Sequence, residues 1–380
     1  MNFRVRHRRA ICLLAALVFC SGGVIQLKAD VVLPSLVSNL VCRYDFEHPV
    51  SGNSSKETDL GFSGTDIALV NGGAAMRTND GAYAASAFAL QTQQVNPTTI
   101  GNDDWKAGIY LTNGVASLSA FSSVTGITLM GWVKPTGTNP NLNTTTTPTN
   151  DFYNAIGLFG LLSGTSEGHA VRALLEVIDV AGTLRLVALG RRIDSGSSLT
   201  LAATNDWQTL LPSNTWTHLA ATFDFDNGTM ALYRNGVSLV ATNTTTGDAW
   251  GVIGGAEPDV TSATNPAGIK IGGSFPQNTV ERNAFNGRFD DLMFFNKVLS
   301  AVEVQAQFAN FAPIITVSES AGQITLSWPA PANGFVLESR TNLANGSWIS
   351  AGNVPATNGG ELSVDLPGGD TQQYFRLHKP

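Results

Sequence analysis

At 380 residues, 43% of them hydrophobic and 13% charged, the chain can bury a sizeable core, and 39 Gly with 16 Pro suit a turn-rich globular protein better than a helical or disordered one. A formal charge of −7 excludes the basic surface that a nucleic-acid partner needs to displace counterions. Length alone allows two or three domains, so organisation has to count them.

Residues 1–29 read as an export signal: Arg4, Arg6, Arg8 and Arg9 precede the apolar run Ala10 to Cys20, and Leu27-Lys28-Ala29 offers a small-residue cleavage site. The run is too short to span a bilayer, and a retained short anchor is the alternative. Removing these residues takes away five cations and no acids, which moves the charge from −7 to −12 and favours solubility. It also removes Cys12 and Cys20. Cys42 is then alone, no disulfide framework is possible, and its alternation with Leu40, Tyr44 and Phe46 places it on a buried strand face as a small apolar residue.

Period-two alternation recurs along the chain, so the fold class is all-β. Strand candidates are Leu40 to Glu47, Ile127 to Lys134, Ala170 to Val180, Leu184 to Leu189, Ile269 to Gly272 and Phe285 to Phe295. The clearest stretch is Thr215 to Val240, where Leu219, Ala221, Phe223 and Phe225 alternate with polar or small residues. Turns at Asp226-Asn227-Gly228 and Asn235-Gly236 then make a three-stranded meander. Thr136 to Asn150 and Thr242 to Ala267 are Thr/Asn-rich and read as long loops. One short helix follows the last strand: Ser300-Ala301-Val302-Glu303 forms a capping box, with Val304 and Phe308 on one face. Phe311-Ala312-Pro313 breaks that pattern and marks a boundary between a domain of residues 30–312 and a small β module of residues 313–380. About 65 residues without a disulfide make a marginal core, so the module is expected to lean on its neighbour.

The order of segments from Leu40 to Phe308 resembles LamG-like (laminin-G, concanavalin A-like) jelly rolls of bacterial surface proteins. The resemblance is carried by Leu40-Val41-Cys42-Arg43-Tyr44-Asp45-Phe46-Glu47, the Ser51-Gly52-Asn53 turn, Ile127 to Pro135, Trp216 to Asp224, Leu232-Tyr233-Arg234-Asn235-Gly236, Ile269 to Gly273, and Phe285 to Asp291 running into Asn296 to Ser300. It implies a jelly-roll sandwich with inserted loops. The tail is similar to a C-terminal module of secreted proteins of Verrucomicrobia and related bacteria, through Ile324 to Pro329, Gly334 to Ser339, Thr341-Asn342-Leu343, Trp348 and Tyr374 to Leu377. A small β-sandwich-like shape is expected for it.

Many enzymes share the concanavalin-like fold, so catalysis has to be tested on residues. Related glucanases present Glu-x-Asp-x-x-Glu; the nearest segment here is Glu176-Val177-Ile178-Asp179, whose i, i+3 spacing sends the carboxylates to opposite strand faces. Asp224 and Asp226 share a face but flank a turn, where Asp caps backbone. The His residues show no metal-ligand spacing, and His218 reads as a packed, hydrogen-bonded residue. The expectation is therefore a protein that is not an enzyme.

Asp290 and Asp291 stand among Phe289, Leu292, Met293, Phe294 and Phe295, so alternation puts a carboxylate on whichever face is core, where it must be hydrogen-bonded, ion-paired or metal-bound. The family resemblance implies a structural calcium ion, here on Asp290 with oxygens of Ser51 and Asn53 in the Ser51-Gly52-Asn53 turn. Simple hydrogen bonding or pairing with Arg288 is the alternative. Trp105, Trp207 and Trp250 lie in polar, loop-like segments and are candidates for a sugar-binding platform, whereas Trp132, Trp216 and Trp328 sit in strand patterns and are assigned to cores. The resulting expectation is an exported, non-catalytic recognition protein that binds a glycan or cell-surface polymer through its jelly-roll loops. A structural or adhesion role toward other proteins and a divergent glycoside hydrolase are the alternatives. No nucleic-acid partner and no membrane span after signal removal are expected.

Overall fold

The computed structural model describes residues 31–379 apart from 96–102, 137–155, 163–170, 192–197, 244–264, 274, 276–282, 314, 321–322, 331–333, 343–346, 359–360 and 368–372. The export signal therefore lies outside the described residues, as do Trp250 and most of both long loops.

Alternating strands pair into two large sheets. One has eight described strands, with Gly126–Pro135 at its centre between Thr217–Asp224 and Gly287–Phe295; the other has eleven, running through Ser198–Asp206, Thr183–Arg191, Val171–Val180, Ile156–Leu162, Gly268–Ile271 and Lys106–Tyr110. Their facing side chains make one apolar core, in which Leu129, Phe223 and Phe294 of the first sheet share a cluster with Phe159, Leu175 and Leu186 of the second. This is two-sheet sandwich packing, with the inward residues of each strand alternating with outward ones.

The meander forms as expected, through Thr217–Asp224, Thr229–Arg234 and Val237–Ser238. Its two turns differ. Asn235 and Gly236 both have positive φ, 49° and 75°, as a type I′ hairpin needs. In the other turn Gly228 alone of Asp226, Asn227 and Gly228 has positive φ, and Asp224 closes the loop by accepting from the Asn227 N–H at 2.9 Å and from its Nδ2 at 2.8 Å. Asp224 is thus the turn-capping residue its position suggests.

Ile156–Leu162 was not legible as a strand, because all seven of its residues are buried and Ile-Gly-Leu-Phe-Gly-Leu-Leu carries no alternation. The helix spans Ala301–Ala309 and has the complete capping box of Ser300 and Glu303.

Beyond the helix, the strands between Thr316 and His378 pair only among themselves, as a four-stranded and a three-stranded sheet. Leu326, Trp328, Phe335, Leu337 and Val364 are their buried apolar residues. This small core is continued onto the jelly roll: Phe335 stacks on Phe308 at 6.2 Å, and the Lys379 ammonium lies 4.8 Å from the centroid of Trp132. The described residues from Val32 onward make one compact unit.

Candidate functional site

A sandwich has two outward faces, and here they have different fates. On the eight-stranded sheet, Met130, Trp132 and Lys134 alternate outward from the core residues Leu129 and Val133. Trp132 is covered by Phe308 (5.8 Å) and Phe311 (5.5 Å) and flanked by His218 (5.2 Å), so the helix and the C-terminal module seal this face. His218 is packed, but neither ring nitrogen has a hydrogen-bond partner among the described residues; only its backbone is bonded, to Asn235. Burial, with a smaller contribution from the charge of Lys379, holds its pKa down at about 3, so the ring is neutral.

The acidic pair at positions 290 and 291 sits on this same outward face, which corrects the alternation argument. Between Asp290, opposite Trp132, and Met293, opposite Met130, the strand carries one extra residue, and Asp291 adopts φ 47°. This bulge resets the period, so Phe289, Leu292 and Phe294 all enter the core and both aspartates leave it. Asp291 accepts from Arg43 Nε at 2.6 Å and Nη2 at 3.1 Å, and Tyr83 Oη donates to its Oδ2. Asp290 Oδ2 accepts from the Ala82 N–H and from Ser86 Oγ, both at 2.7 Å, while its Oδ1 is buried without a partner. Burial and then the neighbouring Asp291 push the Asp290 pKa well up, which favours its neutral form. Arg288 is not its partner; it binds Asp80 and Gln91.

The three calcium-candidate residues differ in exposure: Asp290 is buried, whereas Ser51 and Asn53 are exposed. The described donors at Asp290 Oδ2 are N–H and O–H groups that a cation would displace. No hydrogen bond joins Asp290 to the exposed Ser51-Gly52-Asn53 turn, where Asn53 Oδ1 accepts from the Ser55 N–H at 3.1 Å. Among the described residues no group of three or more His, Cys, Asp or Glu is placed to hold a metal.

Of the three platform tryptophans, Trp105 and Trp207 pack on the sandwich core, and Trp250 lies outside the described residues. Trp207, 2% exposed, begins the short helix Trp207–Leu210 and belongs to the sandwich core, because an apolar ring one residue past the capping Asp206 turns inward. Trp105 is half-buried, bridges Gln93 and packs on the same core. Trp132, Trp216 and Trp328 are buried as expected.

The outward face of the eleven-stranded sheet carries a feature that alternation did not single out. Along Val171–Val180, Ala173, Leu175 and Val177 point to the core, leaving Leu174, Glu176 and Ile178 outward. Lys270 points the same way, since Ile269 and Ile271 are core. Its Nζ lies 2.5 Å from Glu176 Oε1, with side-chain exposures of 0% and 2%. One strand lies between them, so the Lys270 stem must cross roughly 10 Å of sheet. Glycine provides the path: Lys270 is opposite Gly160 on one neighbour and Gly108 on the other, and Glu176 is opposite Gly157. A Cβ at Gly160 would meet the Leu174 side chain at 2.4 Å, so this corridor has no room for larger residues. Apolar Leu162, Leu174 and Ala267 border the pair on one side and Ile178, Val187 and Ala202 on the other. Glu176 and Asp179 do diverge as their spacing requires: Asp179 accepts from the Gly182 N–H at 2.7 Å and caps a turn.

With this architecture in place, comparison with known families becomes decisive. A sequence profile of the Laminin_G_3 family, part of the concanavalin A-like lectin/glucanases superfamily, matches residues 106–305, more than half the chain. The chain belongs to this family. Its LamG-like domain takes in the Glu176–Lys270 pair, both aspartates and the meander.

No curated protein matches the sequence. Among solved structures, the binding domain of botulinum neurotoxin DC in complex with rat synaptotagmin II is similar at 11% identity and TM-score 0.45, over 90% of this chain and 74% of that one. Trypanosoma rangeli sialidase in complex with 2,3-difluorosialic acid is similar at 13% identity and TM-score 0.40, over 71% of this chain; the match spans 33% of the sialidase. A heptameric SAP-like pentraxin from Limulus polyphemus is similar at 15% identity and TM-score 0.30, over 49% of this chain and 70% of that one.

Proposed function

We propose that the protein is an exported, non-catalytic recognition protein whose LamG-like domain takes a glycan or cell-surface polymer on the side of the eleven-stranded sheet. The observation that carries this reading is the Glu176–Lys270 pair, desolvated on a face outside the core. A buried ion pair is seldom worth its desolvation cost as a stabiliser, so its presence where apolar side chains would suffice argues for a specifying role. Family membership supports binding as the general activity. Against hydrolysis, Glu176 is engaged by Lys270 and Asp179 by its turn, so neither resembles a member of a facing carboxylate dyad.

A glycan array probed with the wild type and with the paired variant Glu176→Met/Lys270→Met tests this reading. Both charges of the pair leave together. Binding to a saccharide class that the pair variant loses, at an unchanged circular-dichroism spectrum, is the expected result. No binding by the wild type to any polysaccharide would move the reading to adhesion between proteins, and release of reducing ends from a polysaccharide panel would overturn the non-catalytic assignment.

A further inference from the structure

The three-stranded sheet of the C-terminal module leaves one face outward. Phe335 and Leu337 of Val336–Arg340 and its flank are buried, which puts Val336, Glu338 and Arg340 on the other side. The cross-strand partners His378, Arg376 and Tyr374 share that side. Trp348, two residues before Ser350, which pairs with Glu338, has the same parity. The Arg340 guanidinium carbon lies 4.9 Å from the Trp348 centroid and that of Arg376 4.5 Å, so a half-buried indole orders two guanidinium groups.

The two arginines are not equivalent. Glu338 Oε2 accepts from Nε of Arg376 at 2.7 Å and lies 2.7 Å from its Nη2, and Glu338 Oε1 is 3.4 Å from His378 Nδ1, an ion-pair separation without hydrogen-bond geometry. Glu338 thereby neutralises Arg376. Arg340 has no carboxylate partner among the described residues, and its Nε is buried without a hydrogen-bond acceptor. A guanidinium is a planar fork of donors that matches an oxyanion, and holding it by stacking removes much of the entropy lost on capture.

We infer that this face of the C-terminal module binds an acidic polysaccharide, with Arg340 reading a carboxylate or sulfate group and Trp348 and Tyr374 flanking the sugar ring that carries it. A chain of net charge −7 does not attract polyanions in general, so capture has to be local. One uncompensated cation is too few for nucleic acid, whose affinity comes from several phosphate contacts at once. A saccharide ring bearing one anion suits one fork beside an aromatic surface. This site is separate from the one proposed on the jelly roll, and either can fail without the other.

The test is affinity electrophoresis of the full chain through gels containing polygalacturonate (carboxylate), dextran sulfate (sulfate), dextran (neutral) or double-stranded DNA. The expected result is retardation by one or both acidic polysaccharides and by neither dextran nor DNA, with the arm that retards identifying the anion. Arg340→Gln and Trp348→Ala should each weaken it at least about tenfold, the loss of one charge-assisted contact. Arg340→Lys should not restore it, and the exposed control Lys56→Gln should leave it unchanged. All variants change partly exposed side chains, and circular dichroism verifies that they are folded. Equal retardation by dextran or DNA, no retardation by either acidic polymer, or an Arg340→Gln variant indistinguishable from the wild type would each overturn the assignment.

Discussion

Asp291 meets two demands at once, and substitution can separate them. Its carboxylate is fully buried and holds Arg43 through two contacts plus Tyr83, and its backbone sits at φ 47°, where Asn and Asp are tolerated better than other side chains. Asp291→Asn keeps the conformation and removes the charge. Breaking one side of a buried pair costs about 3–5 kcal/mol; because Arg43 keeps Asp45 at 3.6 Å, the lower end, about 3 kcal/mol, is expected. Asp291→Ala loses the same pair and adds about 1–2 kcal/mol, because it lacks the short polar side chain that lets Asn and Asp tolerate the left-handed region. Tyr83→Phe, which removes one donor to a charged acceptor, should cost about 1.5–3 kcal/mol. At roughly 2 °C per kcal/mol for a chain of this size, Asp291→Asn melts about 6 °C below the wild type and Asp291→Ala about 8–10 °C below it. Thermal unfolding followed by near-ultraviolet circular dichroism and urea titration should return the same order. An Asp291→Asn variant within about 1 kcal/mol of the wild type would show that the pair is not what holds the bulge, and equal losses for Asn and Ala would remove the backbone half of the argument.

Four further outcomes can be checked on the same protein. Burial pushes the Asp104 pKa up to about 6 despite the Val95 N–H at 2.9 Å, so the folded state holds this proton more tightly than the unfolded chain; wild-type stability should fall as pH rises from about 4 to 6, and Asp104→Asn should be more stable at pH 7, by on the order of 3 kcal/mol in urea titrations. Lys379 behaves in the opposite sense: burial, with Arg234 nearby, pulls its pKa down to about 8, so the unfolded chain binds more protons between pH 8 and 10, wild-type stability rises across that range, and a Lys379→Met variant that kept the same pH slope would refute the assignment. The Cys42 thiol is buried, pushed up first by burial and then by Asp59, and within 3.2 Å of Ser63 Oγ; in a chain lacking residues 1–29, where it is the one cysteine, it should resist a thiol reagent in the native state and react one-to-one in guanidinium. Because hydrogen-bond donors face Asp290 Oδ2, chelator should leave the melting temperature unchanged, and a fall of several degrees would restore a calcium site.

The sequence disclosed those parts of the fold where one face is wet and the other dry. The meander, the central strand Gly126–Pro135 and the capped helix carry local signals, namely alternation, positive-φ turn residues and a capping box, and each formed where it was expected. Ile156–Leu162 carries none, because a strand buried on both faces needs no polar residue. The site was less legible. Alternation cannot anticipate a bulge, and at Asp291 one inserted residue put on the outward face the one carboxylate that alternation assigns to the core. Trp207 stood in a polar segment, but the Asp206 cap and the following helical turn carried its ring inward. The Glu176–Lys270 pair joins residues 94 apart, which no local pattern can reveal; the sign that could have pointed to it was the recurrence of glycine at 108, 157 and 160 in strands otherwise built of large apolar residues.

That glycine corridor also separates a cost from a purpose. Replacing the pair by apolar side chains would give a sheet face of the kind seen beside it, at Ile178, Val187 and Ala202, with no charge to desolvate. On the other outward face the molecule does choose aromatic cover, with Trp132, Phe308 and Phe311 in mutual contact beneath the tail. The same chain therefore contains both solutions to covering a sheet. The more costly one occurs on the outward side of the eleven-stranded sheet, where the pair and its apolar neighbours are as fully buried as the aromatic cover opposite, so the contrast lies in the chemistry used and not in exposure.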